Sequence, residues 1–332
     1  MSGRVSAKQL VLLARVVFLA VSLAILIKIV DLRLLAAHMY DIPLYVLAFL
    51  VAMSVFRTWL TGMRWRLINP DESGQLRAWQ YFRLLMIANS FNLIMPGALG
   101  GDFVKTAMTV KTVKTKRVDN VIAIVADRFI GLLSILCLGS LALLFMSDIP
   151  NRWAFYRIFL LLGAAFLTLI LTTTNPWLLR LAETILIRLG VVGDNLLHVL
   201  HTWQSAIAFF RRNYTRVLLA LLMCVPIHGL SFLTKYIVAV YLGIEISFFD
   251  VCLVLALVWV ITSIPITISG AGVRELSMIY FLSFYGVDAE PATALSVYFY
   301  LVTVILGFVG LFFLLDSRRA PVHTENEAEG QG

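Results

Sequence analysis

The sequence predicts an all-α polytopic membrane protein. About six full transmembrane helices and two broken, re-entrant helix hairpins are expected, arranged as an inverted-topology repeat. Three observations carry this. Of 332 residues, 61% are hydrophobic and only 14% charged, whereas a soluble domain carries about 25% charged residues. The apolar residues gather into runs near the ~20 needed to cross ~30 Å of hydrocarbon. Two of those runs are interrupted by Pro and Gly, which weaken or break a helix.

The same composition excludes a soluble enzyme, a secreted domain and a disordered chain. Cys137, Cys224 and Cys252 are odd in number and each sits in an apolar run, so no disulfide framework is implied. The net charge of +8 reads as basic cytoplasmic loops against an anionic leaflet, not as a nucleic-acid surface.

In chain order, the first crossing is Leu10–Val30. Its start is basic, but it is long, carries Lys28 and lacks a clear cleavage site, so an uncleaved anchor is expected. Ile42–Gly62 is the second. Arg83–Val104 follows as the first broken segment, interrupted by Asn89, Asn92 and Met95-Pro-Gly-Ala-Leu-Gly-Gly-Asp102. Asn120–Met146 and Phe155–Thr174 are full crossings. Asn175–Arg216 is leucine-rich yet polar, and reads as one or two amphipathic helices at the cytoplasmic interface. Arg216–Leu242 crosses again. Val251–Tyr285 is the second broken segment, interrupted by Ile264-Pro-Ile-Thr-Ile-Ser-Gly-Ala-Gly-Val-Arg-Glu275. Pro291–Leu315 is the last crossing. In lipid, backbone groups freed at such breaks must be satisfied by protein or cavity water, so both breaks are expected to line a cavity.

Charge tests the re-entrant assignment. With a cytoplasmic N-terminus and both broken segments returning to the side they entered, eighteen Lys and Arg fall inside, among them Arg64–Arg83, Lys105–Arg117 and Arg180–Arg216. Only Arg33, Arg152 and Arg157 fall outside. That is the positive-inside bias. A full first crossing would instead put Lys105–Arg117 outside. The breaks lie about half a chain apart and open from opposite sides, the pattern of an inverted repeat with a midplane site. Residues 1–315 therefore read as one transmembrane domain with halves of about 1–150 and 151–315. Residues 316–332 read as a disordered cytoplasmic tail.

The breaks also carry a resemblance. Asn92-Leu-Ile-Met-Pro-Gly-Ala-Leu-Gly-Gly-Asp102 resembles a signature of the lysylphosphatidylglycerol synthase transmembrane region family of flippase-like proteins. Pro265 with Gly270-Ala-Gly-Val-Arg-Glu275 resembles its second signature. Ala126-Asp-Arg-Phe-Ile-Gly-Leu-Leu133 is similar to its acidic-Arg helix motif, where Glu is the more usual acid. The resemblance spans about residues 10–315 and implies handling of lipid head groups in a bacterial cytoplasmic membrane, and the charge count places both termini on the cytoplasmic side. Only a short tail follows Leu315, so the flippase-like part without aminoacyl transfer is expected.

The residues give that reading chemistry. Gly97, Gly100 and Gly101 let backbone amides approach a ligand. Asp102 suits the N-cap of the following helix, with Lys105 one turn on. Gly270 and Gly272 precede Arg274 and Glu275. A helix N-terminus offers N–H groups to phosphate, and Arg274 adds a bidentate donor. The bland alternative is that Asp102–Lys105 and Arg274–Glu275 only pair with each other or with backbone. Asp127 and Arg128 lie about two turns into a crossing, where an ion costs ~2.5–3.5 kcal/mol near the bilayer centre. They are expected to find partners elsewhere, Arg274 and Glu275 being candidates, or to snorkel to the interface. Lys235, near mid-helix, and His228, two turns before it, form a second tier. Asn89, Asn92, Thr267 and Ser269 stand at the breaks, either to bond a head group or to repair freed backbone. Asp194, His198 and His201 share a helix face, but a solvated polar face explains them and no metal is expected.

No Gly-x4-Gly-Lys-Ser/Thr loop appears, so direct ATP drive is not expected, nor is any cofactor. The leading expectation is a lipid transporter that moves or presents an anionic or lipid-linked head group. The rival is a membrane-embedded enzyme or accessory subunit acting on lipid-linked intermediates of a glycolipid, aminoacyl-lipid or hopanoid route. The expected partner is a membrane lipid or lipid-linked substrate, not nucleic acid; a second copy of the chain or a biosynthetic enzyme stands beside it.

Overall fold

The computed structural model describes residues 28, 30, 31, 33–35, 37, 42–69, 76–94, 99–113, 117–147, 152–187, 191–263 and 270–317. The regular elements among them are helices. They are α1 (Leu44–Ile68), α2 (Ala78–Ile94), α3 (Leu99–Val113), α4 (Arg117–Ala142, tightening into a 3-10 turn at Leu143–Phe145), α5 (Arg152–Thr174), α6 (Pro176–Ile187), α7 (Val191–Arg212), α8 (Tyr214–Tyr241), α9 (Phe248–Ser263), α10 (Val273–Ser283) and α11 (Ala289–Ser317).

Five stretches are long and apolar enough to cross a membrane: Leu44–Ile68, Ile122–Phe145, Arg152–Thr172, Tyr214–Tyr241 and Ala289–Leu315. They match five of the six expected crossings. The sixth, Leu10–Val30, lies outside the described residues apart from Lys28 and Val30. The last helix runs two residues past the expected Leu315, and 318–332 lie outside the description.

Helix directions are fixed by a few contacts. The Tyr45 and Tyr241 hydroxyls meet at 3.2 Å, and Arg64 Nη1 reaches Cys224 Sγ at 3.1 Å, so α1 and α8 run antiparallel. One end of the bundle is basic, with Arg66, Arg77 and Arg83 on α1–α2 and Arg211, Arg212 and Arg216 at the α7–α8 junction. The opposite, more acidic end holds Asp31, Glu245, Asp250, Asp288 and Glu290 against Arg33, Arg152 and Arg157.

The first broken segment is a hairpin. Along α11, Arg83 Nη2 donates to the Phe313 carbonyl at 3.3 Å and Ser90 Oγ to the Gly307 carbonyl at 2.6 Å. At 1.5 Å per residue, Gly307 is ~15 Å from Ser317 and ~27 Å from Ala289. The tip of α2 therefore stops partway along α11, and α3 packs back against α2. Close approach needs small residues. A Cβ on Gly310 would collide with the Met86 carbonyl, and one on Gly307 with the Leu93 side chain. A Cβ on Gly62 of α1 would sit 3.2 Å from the Phe82 amide nitrogen.

The second hairpin opens from the acidic end. Asp250, at the start of α9, accepts from the Ser147 amide (3.1 Å) and hydroxyl (2.5 Å), from Ser247 (2.5 Å) and from the Tyr285 phenol (3.0 Å). α9 descends from this knot, and α10 returns to the turn before α11. The two hairpins thus enter from opposite ends, as the sequence predicts.

Of the one or two amphipathic helices expected over residues 175–216, the described residues show two, α6 and α7. α6 buries no residue, and Trp177 and Ile187 are exposed. α7 packs on α4 through Phe210 against Phe129, ring centroids 5.3 Å apart.

Candidate functional site

Besides the Asp250 knot, polar side chains among the described residues gather at three places. The first lies where α3 meets α1 and α4. Asp102 takes Arg128 Nε and Nη2 and lies 3.4 Å from Lys105 Nζ. Lys105 Nζ is also 3.8 Å from Asp127 Oδ2 and stands 5.1 Å from the Trp65 ring. Asp127 Oδ1 sits 2.9 Å from Arg64 Nη2, with side-chain exposures of 10% and 8%. Three cations thus share two carboxylates. Trp65 Nε1 and Thr109 Oγ1 are buried there or nearby without a hydrogen-bond partner among the described residues.

This arrangement corrects two expectations. Asp102 is not an N-cap: α3 begins at Leu99, so Asp102 lies in its first turn and spends its carboxylate on Arg128 and Lys105. The partners of Asp127 and Arg128 are not Arg274 and Glu275 but Arg64 with Lys105, and Asp102, respectively. Neighbouring helices supply the countercharges, so none had to come from the other half.

Asn92 has a defined task. Its Oδ1 accepts the Gly101 amide at 2.7 Å, one of the N–H groups left unpaired at the start of α3. A Cβ on Gly101 would lie 2.8 Å from the Asn92 amide atoms, so glycine is what lets the tip close. Asn92 repairs backbone freed at the break. Gly100 lies in the first turn of α3. Asn89 is half-buried on α2. Ser269, Thr267 and Met95–Ala98 lie outside the described residues.

The second place is the tip of the other hairpin. Gly270 and Gly272 have φ of 75° and 79°, a region that glycine enters without a Cβ penalty. Glu275 Oε2 accepts the Gly272 amide at 2.7 Å. Its Oε1 accepts Arg274 Nε at 3.0 Å, Arg274 Nη2 at 2.6 Å and the Ser296 hydroxyl at 2.8 Å. Arg274 Nε also reaches Ser296 Oγ at 2.9 Å, and its guanidinium stands 5.2 Å from the Tyr300 ring. Arg274 and Glu275 therefore pair with each other across the start of α10.

The third place lies between the other two. A cleft of about 60 Å³ opens among α1, α8 and α11, lined by Leu50, Ser54, Arg57, Thr234, Lys235, Phe299, Val302, Thr303 and Leu306. Lys235 Nζ donates to Ser231 Oγ at 2.8 Å and stands 4.6 Å from the Phe299 ring. His228 lies apart from this cleft. Its Nε2 is 3.0 Å from the Ser134 hydroxyl, and its ring stacks on Phe232.

Arg57 and Arg64 were not among the sequence candidates. Arg64 stands where α1 leaves the apolar run and reads as loop charge. Arg57 sits inside that run, and an intramembrane cation is a signal that finds it. No group of three His, Cys, Asp or Glu able to hold a metal appears among the described residues. The side chains of Asp194 and His198 are outside that set. His201 bonds Gln204 at 3.0 Å.

A family model described as Lysylphosphatidylglycerol synthase TM region matches residues 12–310. No curated protein and no solved structure matches the chain.

Proposed function

The chain belongs to the lysylphosphatidylglycerol synthase TM region family, and on that premise we propose that it is a lipid transporter of flippase type. Membership links the protein to lipid metabolism or transport in a membrane. The observation that supports transport is the pair of half-deep hairpins entering from opposite ends, each carrying buried charge near its break. Half-helix breaks in inverted halves form the binding sites of secondary transporters. Arg128, Lys105 and Arg274 neutralise an anionic or lipid-linked head group. Asp102, Asp127 and Glu275 orient those cations. Rocking of the halves alternates access, and a gradient or downhill lipid flux supplies the energy.

The test is translocation in liposomes holding purified protein with fluorescent anionic, zwitterionic and polyprenyl-phosphate lipids. Head-group-selective movement, lost in Arg274→Ala and Asp102→Ala with lipid mass unchanged, is the expected result. A mass shift without movement overturns transport in favour of an embedded enzyme. Neither signal overturns transport in favour of an accessory role.

A further inference from the structure

We propose that the cleft among α1, α8 and α11 binds the phosphate of an anionic phospholipid head group, held between Arg57 and Lys235. The inference rests on the lipid-transport reading above and adds a head-group site on the route between the two hairpin breaks.

Arg57 stands thirteen residues after Leu44 and eleven before Ile68, so it is ~20 Å from one end of α1 and ~16 Å from the other. That is the middle of a membrane-length helix. A cation there costs several kcal/mol unless something answers its charge. Nothing among the described residues does. Among the described residues Arg57 has no hydrogen bond or ion pair through its guanidinium, and no acid lines the cleft. Lys235 finds only Ser231 and the Phe299 ring, neither of which carries charge. Arg64, Lys105, Arg128 and Arg274 each have a carboxylate within reach. Arg57 and Lys235 have none among the described residues, which leaves the countercharge to a ligand.

The shape of the cleft agrees. Ser54 and Arg57 lie one turn apart on one face of α1, and Phe299, Thr303 and Leu306 present one face of α11. The free space suits a few waters or one tetrahedral anion, not a lipid tail. A guanidinium fork beside an ammonium matches the several oxygens of a phosphate better than a single acceptor. The cleft is also on the way from one break to the other. Arg64, two turns along α1 from Arg57, joins the first charge cluster. Tyr300, next to Phe299, faces Arg274 of the second, and Arg57 and Arg274 both lie within electrostatic range of Lys235. Arg64, Arg57, Lys235 and Arg274 form a cationic ladder, and among the described residues only its two middle rungs lack an acid.

The test is binding to the full chain in neutral detergent, read by calorimetry. Three probes are used: short-chain phosphatidylglycerol, diacylglycerol with the same tails, and inorganic phosphate. Wild type is expected to bind the phosphatidylglycerol and not the diacylglycerol. Arg57→Gln and Lys235→Gln are each expected to weaken binding at least tenfold, Arg57→Lys less, and Arg157→Gln not at all. Neutral Gln at a mid-helix site is cheaper to bury than Arg, and monodispersity on gel filtration checks the fold. Equal affinity in wild type and Arg57→Gln, equal binding of diacylglycerol, or no binding of any probe overturns the site. Binding of inorganic phosphate without the lipid overturns the lipid source. Arg57-dependent lipid binding in a protein that moves no lipid upholds the site and overturns transport. Translocation unchanged in Arg57→Gln upholds transport and overturns the site.

Discussion

At the residue scale, the Arg64–Asp127 pair is the most consequential ion pair in the structure. Both side chains are about nine-tenths buried, and removing one partner of such a pair costs about 3–5 kcal/mol, because the other is left charged and dry. Asp127→Asn is expected to lower the melting temperature in detergent strongly. The double variant Asp127→Asn with Arg64→Gln is expected to recover part of that loss. Equal melting of wild type and Asp127→Asn counts against a structural pair. The sequence marks Asp127, Arg128, Asp102 and Lys105 because charge in an apolar run is conspicuous. It does not show who pairs with whom. Pairing depends on which helices become neighbours, and Arg64 looks like any basic residue closing a crossing. The role of Asn92 was half legible for a similar reason: a polar residue at a break either repairs backbone or awaits a ligand, and only the 2.7 Å contact to Gly101 decides.

At the element scale, the hairpin α2–α3 is seated on α11 through backbone. The Met86 carbonyl and the Ser90 hydroxyl face Gly310 so closely that a Cβ there would overlap the carbonyl and stand 2.5 Å from the hydroxyl. Small residues let membrane helices meet this way. Gly310→Leu has no flexible neighbour to displace, so it must push the hairpin off its seat. The expected outcome is a destabilisation of a few kcal/mol from overpacking, with the Ser90–Gly307 hydrogen bond lost. Thermal unfolding of Gly310→Leu beside the milder Gly310→Ala checks this, and melting of Gly310→Leu at the wild-type temperature contradicts it. The breaks themselves were legible, since Pro and Gly in an apolar run have few other uses. The seats were not, because Gly307 and Gly310 are ordinary residues of an apolar helix until another helix arrives.

At the scale of the whole molecule, hydropathy and charge fix most of the architecture. Five crossings and both hairpins lie where the sequence places them. The sequence marks Lys235 as a second-tier candidate but leaves out Arg57, because the two come together only once α1 and α8 lie side by side. Side-specific labelling tests the arrangement. In a cysteine-free background, single cysteines replacing Arg77 and Arg212 are expected to react with an impermeant thiol reagent from one face of sealed vesicles. Cysteines replacing Glu245 and Glu290 are expected to react from the other. Arg77 and Arg212 reacting from different faces would mean that the first hairpin crosses fully.

α11 touches both hairpins. Ser90 and Arg83 grip its backbone at one half, and Arg274 grips Ser296 at the other. This 29-residue rod is an axle with a bearing at each end. A slide of one helical turn, ~5.4 Å, would carry both grips out of register together. Neither grip could therefore stay in register while such a slide released the other, and a rigid rod couples the two seats.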